Sequence, residues 1–238
     1  ASSPSGPTGI GGETMWVCPT LSSTNGLDDL TGNSNSDPAT LGDNIGIVVD
    51  ASDGGSHALK WGVGTDPVVT MSDGPNNTGQ SSGSFSCWFK SETTNNAGIS
   101  GFSPTNYPSL TAFGLTMLGS GSVLIKHNVE SDSNSAYVDV FAAGLTSNDA
   151  TWHHVAWSWE SETNPVIYID GVASSSAKLT GLYGPVTINT MNDFAGELGS
   201  TAGSFKLSSG FMSIDDYRTF NRPLTQADVD NLSSARGY

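Results

Sequence analysis

Positive charge is what this 238-residue sequence has least of. Lysine and arginine together number 8 against 23 aspartates and glutamates, a formal net charge of −15. Phosphate neutralisation needs clustered lysine and arginine, so the composition argues against a nucleic-acid partner. The arginines, Arg218, Arg222 and Arg236, all fall near the C-terminal end of the sequence, and the lysines are scattered. Charged residues of both signs make up only 13% of the chain, against roughly 25% in an ordinary soluble domain. No apolar run approaches the roughly 18 residues that span a bilayer, so no membrane insertion is expected. No stretch resembles a signal peptide, and a mature exported product, a cut piece and a processed cytoplasmic product all remain open. The 2 cysteines, Cys18 and Cys87, allow at most one disulfide; two small buried thiols are the alternative.

Glycine (29 residues), serine, threonine, asparagine and aspartate dominate instead. That makes the chain turn-rich and poor in helix formers, and excludes a helical bundle. Residues 1–14 carry one large apolar residue, Ile10, and read as a flexible or extended N-terminal arm. Residues 15–238 then alternate short apolar stretches with turn clusters. Strands are expected at Met15–Leu21, Ile45–Asp50, His57–Gly62, Ser84–Lys90, Ser122–His127, Ala136–Ala142, Trp152–Glu160, Pro165–Ile169 and Ser213–Phe220, among others. Phe85, Cys87 and Phe89 share one face of theirs, the period-2 spacing of a sheet with a packed side. About a dozen such strands without an internal repeat predict an all-β sandwich or jelly roll. One short C-terminal helix is signposted: Thr225 as N-cap, Asp228 three residues on, and Leu224 with Val229 as a hydrophobic staple.

The second half carries a succession of motifs: Trp152-His153-His154-Val155-Ala156-Trp157, Tyr168-Ile169-Asp170-Gly171, Ile214-Asp215-Asp216-Tyr217-Arg218 and Asn221-Arg222-Pro223-Leu224-Thr225. It resembles the laminin-G-like, concanavalin A-like lectin/glucanase superfamily. The resemblance extends over about residues 15–234 and implies a two-sheet antiparallel jelly-roll sandwich. It says less about function, because one sandwich hosts lectins, hydrolases, adhesion modules and virion proteins. On the residues themselves, Asp170-Gly171 is a hairpin turn, since both tolerate positive φ. Adjacent His153 and His154 point to opposite faces of a strand and do not share a metal.

Catalytic patterns fail one by one. The glucanases of the superfamily that the chain resembles carry E-x-D-x-x-E on one strand, with an acid and a nucleophile among its three carboxylates. Here Glu130-Ser131-Asp132 is followed by Ser135 in the nucleophile's place. Gly79-Gln80-Ser81-Ser82-Gly83 matches a serine-hydrolase elbow in letters without its strand–turn–helix setting. The G-x-G pairs Gly62/Gly64 and Gly119/Gly121 lack a third glycine and a following helix. No enzyme activity is expected.

Oxygen ligands are abundant. Calcium takes roughly six to eight oxygens from carboxylates, amides, carbonyls and water. The loop holding Asp28, Asp29 and Asn33 supplies such groups. The resemblance implies that first and last strands are neighbours, which would bring this loop towards Asp215 and Asp216. A structural Ca2+ held by Asp28, Asp29, Asn33 and one of Asp215 or Asp216 is therefore expected, with an Asx-turn as the alternative. On a regular strand these last two aspartates face opposite ways, and the other one pairs Arg218 or Arg222. For glycan binding, loop aromatics would stack on sugar C–H surfaces; Tyr107, Tyr183 and Phe102 are the candidates.

Two functional readings follow. One is a surface-displayed recognition or adhesion module, lectin-like, with a glycan or surface polysaccharide as partner. The other is a structural subunit of a virion or extracellular assembly that makes protein contacts with itself or other subunits through the N-terminal arm. A glycan hydrolase comes third, for want of its acids. Either of the first two places the protein outside the cell or on a virion surface.

Overall fold

The computed structural model describes residues 9–17, 40–41, 45–50, 56–61, 69–71, 82–91, 97–104, 113–117, 123–131, 134–142, 149–160, 166–174, 178–180, 194–198 and 212–234. Among these the chain forms strands β1 (Glu13–Val17), β2 (Thr40–Leu41), β3 (Ile45–Asp50), β4 (Ser56–Trp61), β5 (Val69–Met71), β6 (Ser82–Ser91), β7 (Ala97–Pro104) and β8 (Phe113–Met117). There follow β9 (Val123–Ser131), β10 (Asn134–Ala142), β11 (Trp152–Glu160), β12 (Val166–Ile169), β13 (Val172–Ala173), β14 (Lys178–Thr180), β15 (Phe194–Leu198) and β16 (Met212–Phe220). One helix, α1 (Gln226–Ser234), closes the described chain.

The strands build two antiparallel sheets. The first runs β13-β12-β11-β6-β16-β4-β3, with β1 also paired to β16; the second runs β14-β10-β9-β8-β7-β15-β5-β2. This is the expected antiparallel all-β sandwich with one short helix. β4 pairs with the start of β16 at Met212–Ile214, whereas β1 pairs with its end at Tyr217–Phe220. Both therefore lie along the same edge of β16, one after the other. The first strand thus meets the last, although β1 opens at Glu13, two residues before the alternation alone suggests.

The first sheet is covered on both faces, and its sequence shows why. On one face Phe85, Cys87 and Phe89 of β6 stand in register with Trp157, Val155 and His153 of β11. Ile167, Ile169 and Ile214 extend that apolar layer, and all of these except His153 are buried. On the other face Ala156 and Phe220 pack with Leu224, Val229 and Leu232 of the helical segment, and Ile10 and Tyr168 lean on the cluster. Small serines let the chain come this close. The Ser84 hydroxyl donates to the Arg222 carbonyl (2.7 Å), and Ser158 accepts the Leu224 N–H (3.0 Å). Both hydroxyls satisfy backbone groups that burial would otherwise leave unpaired.

Helix α1 starts as its sequence requires. The Asp228 N–H donates to the Thr225 hydroxyl (3.2 Å), and the Thr225 N–H donates to Asp228 Oδ2 (2.9 Å), a reciprocal capping box. Arg222 adds an ion pair to Asp228 at 2.6 Å. That pairing, foremost among several hydrogen bonds, pulls the Asp228 carboxyl down to about 2. No helix among the described residues is long and apolar enough to cross a membrane.

Candidate functional site

Two polar constellations stand out, one buried at the junction of β1 and β16 and one at the rim around His153. The first depends on a break in strand alternation. Asp215 pairs with Trp88 and Arg218 with Ser86, so Asp216 and Tyr217 together face the single residue Cys87. This is a β-bulge. Asp216 sits in the left-handed region (φ 48°), which aspartate tolerates better than most residues, and its N–H donates to Asp215 Oδ1 (2.7 Å).

The bulge sets Asp216 beside Arg218. The guanidinium donates from Nε to Asp216 Oδ1 (2.9 Å) and from Nη2 to Oδ2 (3.0 Å), a two-point fork. Trp16 Nε1 donates to the same Oδ1 (2.6 Å), and the Trp16 ring lies 3.9 Å from the Arg218 guanidinium carbon. Glu13 Oε1 approaches Arg218 Nη1 to 3.6 Å and accepts the Ile10 N–H (2.6 Å). Arg218 is 1% exposed. The Asp216–Arg218 pair lies within β16, and it is Trp16 and Glu13 of β1 that tie it to the first strand.

The sequence-expected site residues fall as follows. Asp215 and Asp216 are both buried on β16. Asp216 is the one that pairs Arg218, as anticipated for one of the two, and its carboxylate is engaged by Arg218 and Trp16. Asp28, Asp29 and Asn33 lie outside the described residues, as do Tyr107 and Tyr183. Phe102 is placed within β7, paired with Gly196 and Phe113, and not in a loop. Gly98, Gly101, Ser103 and Pro104 around it look turn-like, but cross-strand pairing on both sides makes the segment a strand. Among the described residues no group of three or more His, Cys, Asp or Glu is arranged to hold a metal ion. Cys87 is a free, buried thiol, and burial, reinforced by Asp216 and Asp215, pushes its pKa well up.

The histidines separate to opposite faces as expected. His154 is buried, with its ring 5.3 Å from that of Trp88 and Nε2 2.8 Å from the Ser86 hydroxyl. Burial drives its pKa down to about 3, so it is neutral at any physiological pH. His153 stands at the rim between Asp149, Thr151 and Asp170, an arrangement the sequence reading missed. Asp170 is the turn residue that the sequence predicts: it and Gly171 adopt φ of 50° and 82°. It also accepts the His154 N–H (2.8 Å) and contacts His153 Nδ1 (2.8 Å). Its spacing from the histidines across one hairpin was the available signal.

Comparison with known proteins places this architecture. The Laminin_G_3 model of the concanavalin A-like lectin/glucanases superfamily matches residues 63–230, well over half of the chain. None of the curated proteins matches by sequence. Among solved structures, the binding domain of Paraclostridial Mosquitocidal Protein 1 is similar with a TM-score of 0.65 at 13% identity, over 93% of this chain and 52% of that one. The botulinum neurotoxin serotype D ligand binding domain, in complex with N-acetylneuraminic acid, gives 0.62 at 13% identity, over 93% and 50%. The botulinum neurotoxin DC binding domain, in complex with rat synaptotagmin II, gives 0.61 at 15% identity, over 93% and 51%. This chain spans about half the length of each, and at such identities the likeness is one of fold. On the strength of the family match, the chain belongs to the concanavalin A-like lectin/glucanases superfamily.

Proposed function

We propose that the chain is a non-catalytic recognition module that binds glycan at the cell exterior or on a virion surface. The observation that carries this reading is likeness in fold, over nearly the whole chain, to domains described as binding domains, one of them holding N-acetylneuraminic acid. The acids described at the strand junction and at the helix start serve structure: Asp216 is committed to Arg218, and Asp228 to Arg222. The contact surface would come from Tyr107 and Tyr183, whose rings offer apolar faces for stacking on sugar C–H bonds. With a formal net charge of −15 on the chain, neutral glycans meet less long-range repulsion than acidic ones.

Calcium would brace the loop of Asp28, Asp29 and Asn33. The expected set would be completed from β16 by one of Asp215 or Asp216, both of which already accept hydrogen bonds there. Affinity electrophoresis through gels cast with neutral and sialylated polysaccharides tests the glycan reading. Retardation that is lost in Tyr107→Ala and Tyr183→Ala supports it; unretarded migration in every gel contradicts it.

A second reading is a protein-binding subunit of a virion or extracellular assembly. Its support is the similar fold of the domain solved in complex with synaptotagmin II. Native mass spectrometry separates the two: an oligomer that needs residues 1–14 favours assembly, and a sugar-binding monomer favours the lectin.

A further inference from the structure

His153 is surrounded by acceptors. Its Nδ1 lies 2.8 Å from Asp170 Oδ2, and its Nε2 lies 3.2 Å from both Asp149 Oδ1 and Thr151 Oγ1. Thr151 has spent its donors on Asp149, giving Oδ1 its N–H (2.9 Å) and its hydroxyl (2.7 Å). The Thr151 oxygen therefore faces Nε2 as an acceptor too. A neutral imidazole has one donor nitrogen and one acceptor nitrogen. It would turn a lone pair towards a carboxylate whichever tautomer it took. Only the imidazolium, donating from both nitrogens, suits every contact.

The groups around His153 belong to separate pieces of the chain. Asp149 and Thr151 form the turn entering β11, while Asp170 lies in the β12–β13 hairpin. The Ala150 N–H donates to the Ser91 carbonyl (3.0 Å), and Ala150 holds a left-handed φ of 63° that a Cβ-bearing residue disfavours. Asp170 is fixed from behind by the His154 N–H (2.8 Å), and the hairpin by Gln226 Nε2, which donates to the Gly171 carbonyl (2.7 Å). The hairpin side is thus anchored and the turn side is under backbone tension. We propose that His153 is a proton-operated clamp: doubly protonated, it holds the 149–151 turn against the 170–171 hairpin, and on losing a proton it releases the turn.

Among the described residues, the other groups near His153 leave this assignment intact. From β6 the Phe89 ring faces it with centroids 6.0 Å apart and carries no charge. Lys90 turns to the opposite face, over the Trp152 ring at 5.6 Å. His154 stays neutral. The hydrogen bond to Asp170, opposed in part by burial and helped by Asp149, raises the His153 pKa above its ordinary 6.5. A raised folded value means that the clamp's contribution is whole below the ordinary pKa and is lost as pH rises through the folded one. At the acid end, the Thr151 hydrogen bonds foremost hold Asp149 at about 2. Burial opposes the same trend at Asp170, but bonds from His153 and the His154 N–H outweigh it and lower that carboxyl as well. The carboxylate contributions are present above their ordinary value and vanish as pH falls through these lowered ones. The clamp is thus shut from mildly acidic pH to the folded pKa of His153. Above that, the proton on Nε2 passes to solvent while the shorter Nδ1 bond to Asp170 survives.

Long-range 1H–15N NMR of the histidine rings in the whole chain tests this without any mutation. The proposal expects both His153 nitrogens protonated at pH 6, a midpoint above 6.5, and Thr151 amide exchange that accelerates through the same midpoint beyond the intrinsic pH trend. His154, neutral throughout, serves as the internal reference. In Asp149→Asn the His153 midpoint should fall by about one unit, a tenfold change in proton affinity. A neutral tautomer at pH 6, a midpoint at or below 6.5, or an unmoved midpoint in Asp149→Asn would each overturn the proposal.

Discussion

Replacing Arg218 with methionine removes the charge from the β1–β16 junction while keeping an apolar stem of similar length. The guanidinium is 1% exposed and makes two hydrogen bonds of 2.9 and 3.0 Å to Asp216. Its loss strands a buried carboxylate that keeps only Trp16 as a described side-chain donor. Breaking a buried pair from one side costs about 3–5 kcal/mol. The stacking on Trp16 at 3.9 Å accounts for up to about 2 kcal/mol of such a loss when desolvated. A domain of this size moves by roughly 2–4 °C in Tm per kcal/mol, so Arg218→Met should melt about 6–20 °C lower. Guanidinium titration followed by Trp fluorescence gives the same quantity as a shift in midpoint at unchanged slope. The double variant Arg218→Met/Asp216→Asn removes the stranded charge and should lose less than the sum of its single variants, which measures their coupling. A loss below about 1 kcal/mol in Arg218→Met would match an exposed pair and would refute the clasp between first and last strands.

Two further outcomes are expected. Gly171→Ala places a Cβ 3.0 Å from the Ser233 hydroxyl at a residue with φ of 82°; it should cost about 1–2 kcal/mol in chemical denaturation, and a neutral result would contradict the turn assignment. Chelator should lower Tm by several degrees if calcium braces the loop of Asp28, Asp29 and Asn33, since a ligand that binds only the folded state stabilises by mass action; an unchanged Tm would count against the metal.

Local signals carried much of the fold. The Asp170-Gly171 turn, the Thr225/Asp228 capping box and the period-2 face of Phe85, Cys87 and Phe89 are short-range patterns, and each appears where its chemistry demands. The bulge at Asp216 was not legible, because alternation counts residues as if every strand were regular. One extra residue there decides which aspartate meets Arg218. Burial of Arg218 was hidden for a related reason: an arginine in an acidic sequence looks like a surface charge until Trp16, about 200 positions away, is brought over it. The contacts of His153 also depend on pairing between separate strands. Phe102 was hidden by its glycine and serine neighbours, whose strand state comes from cross-strand partners and not from propensity.

The recognition claim itself is tested most directly on an immobilised glycan array that pairs neutral with sialylated oligosaccharides, read at physiological salt. The account predicts saturable binding to at least one carbohydrate class, abolished by the joint replacement of Tyr107 and Tyr183 with alanine while the melting curve stays unchanged. Saturable binding that survives the joint replacement, or an array without any signal from the folded chain, would contradict it.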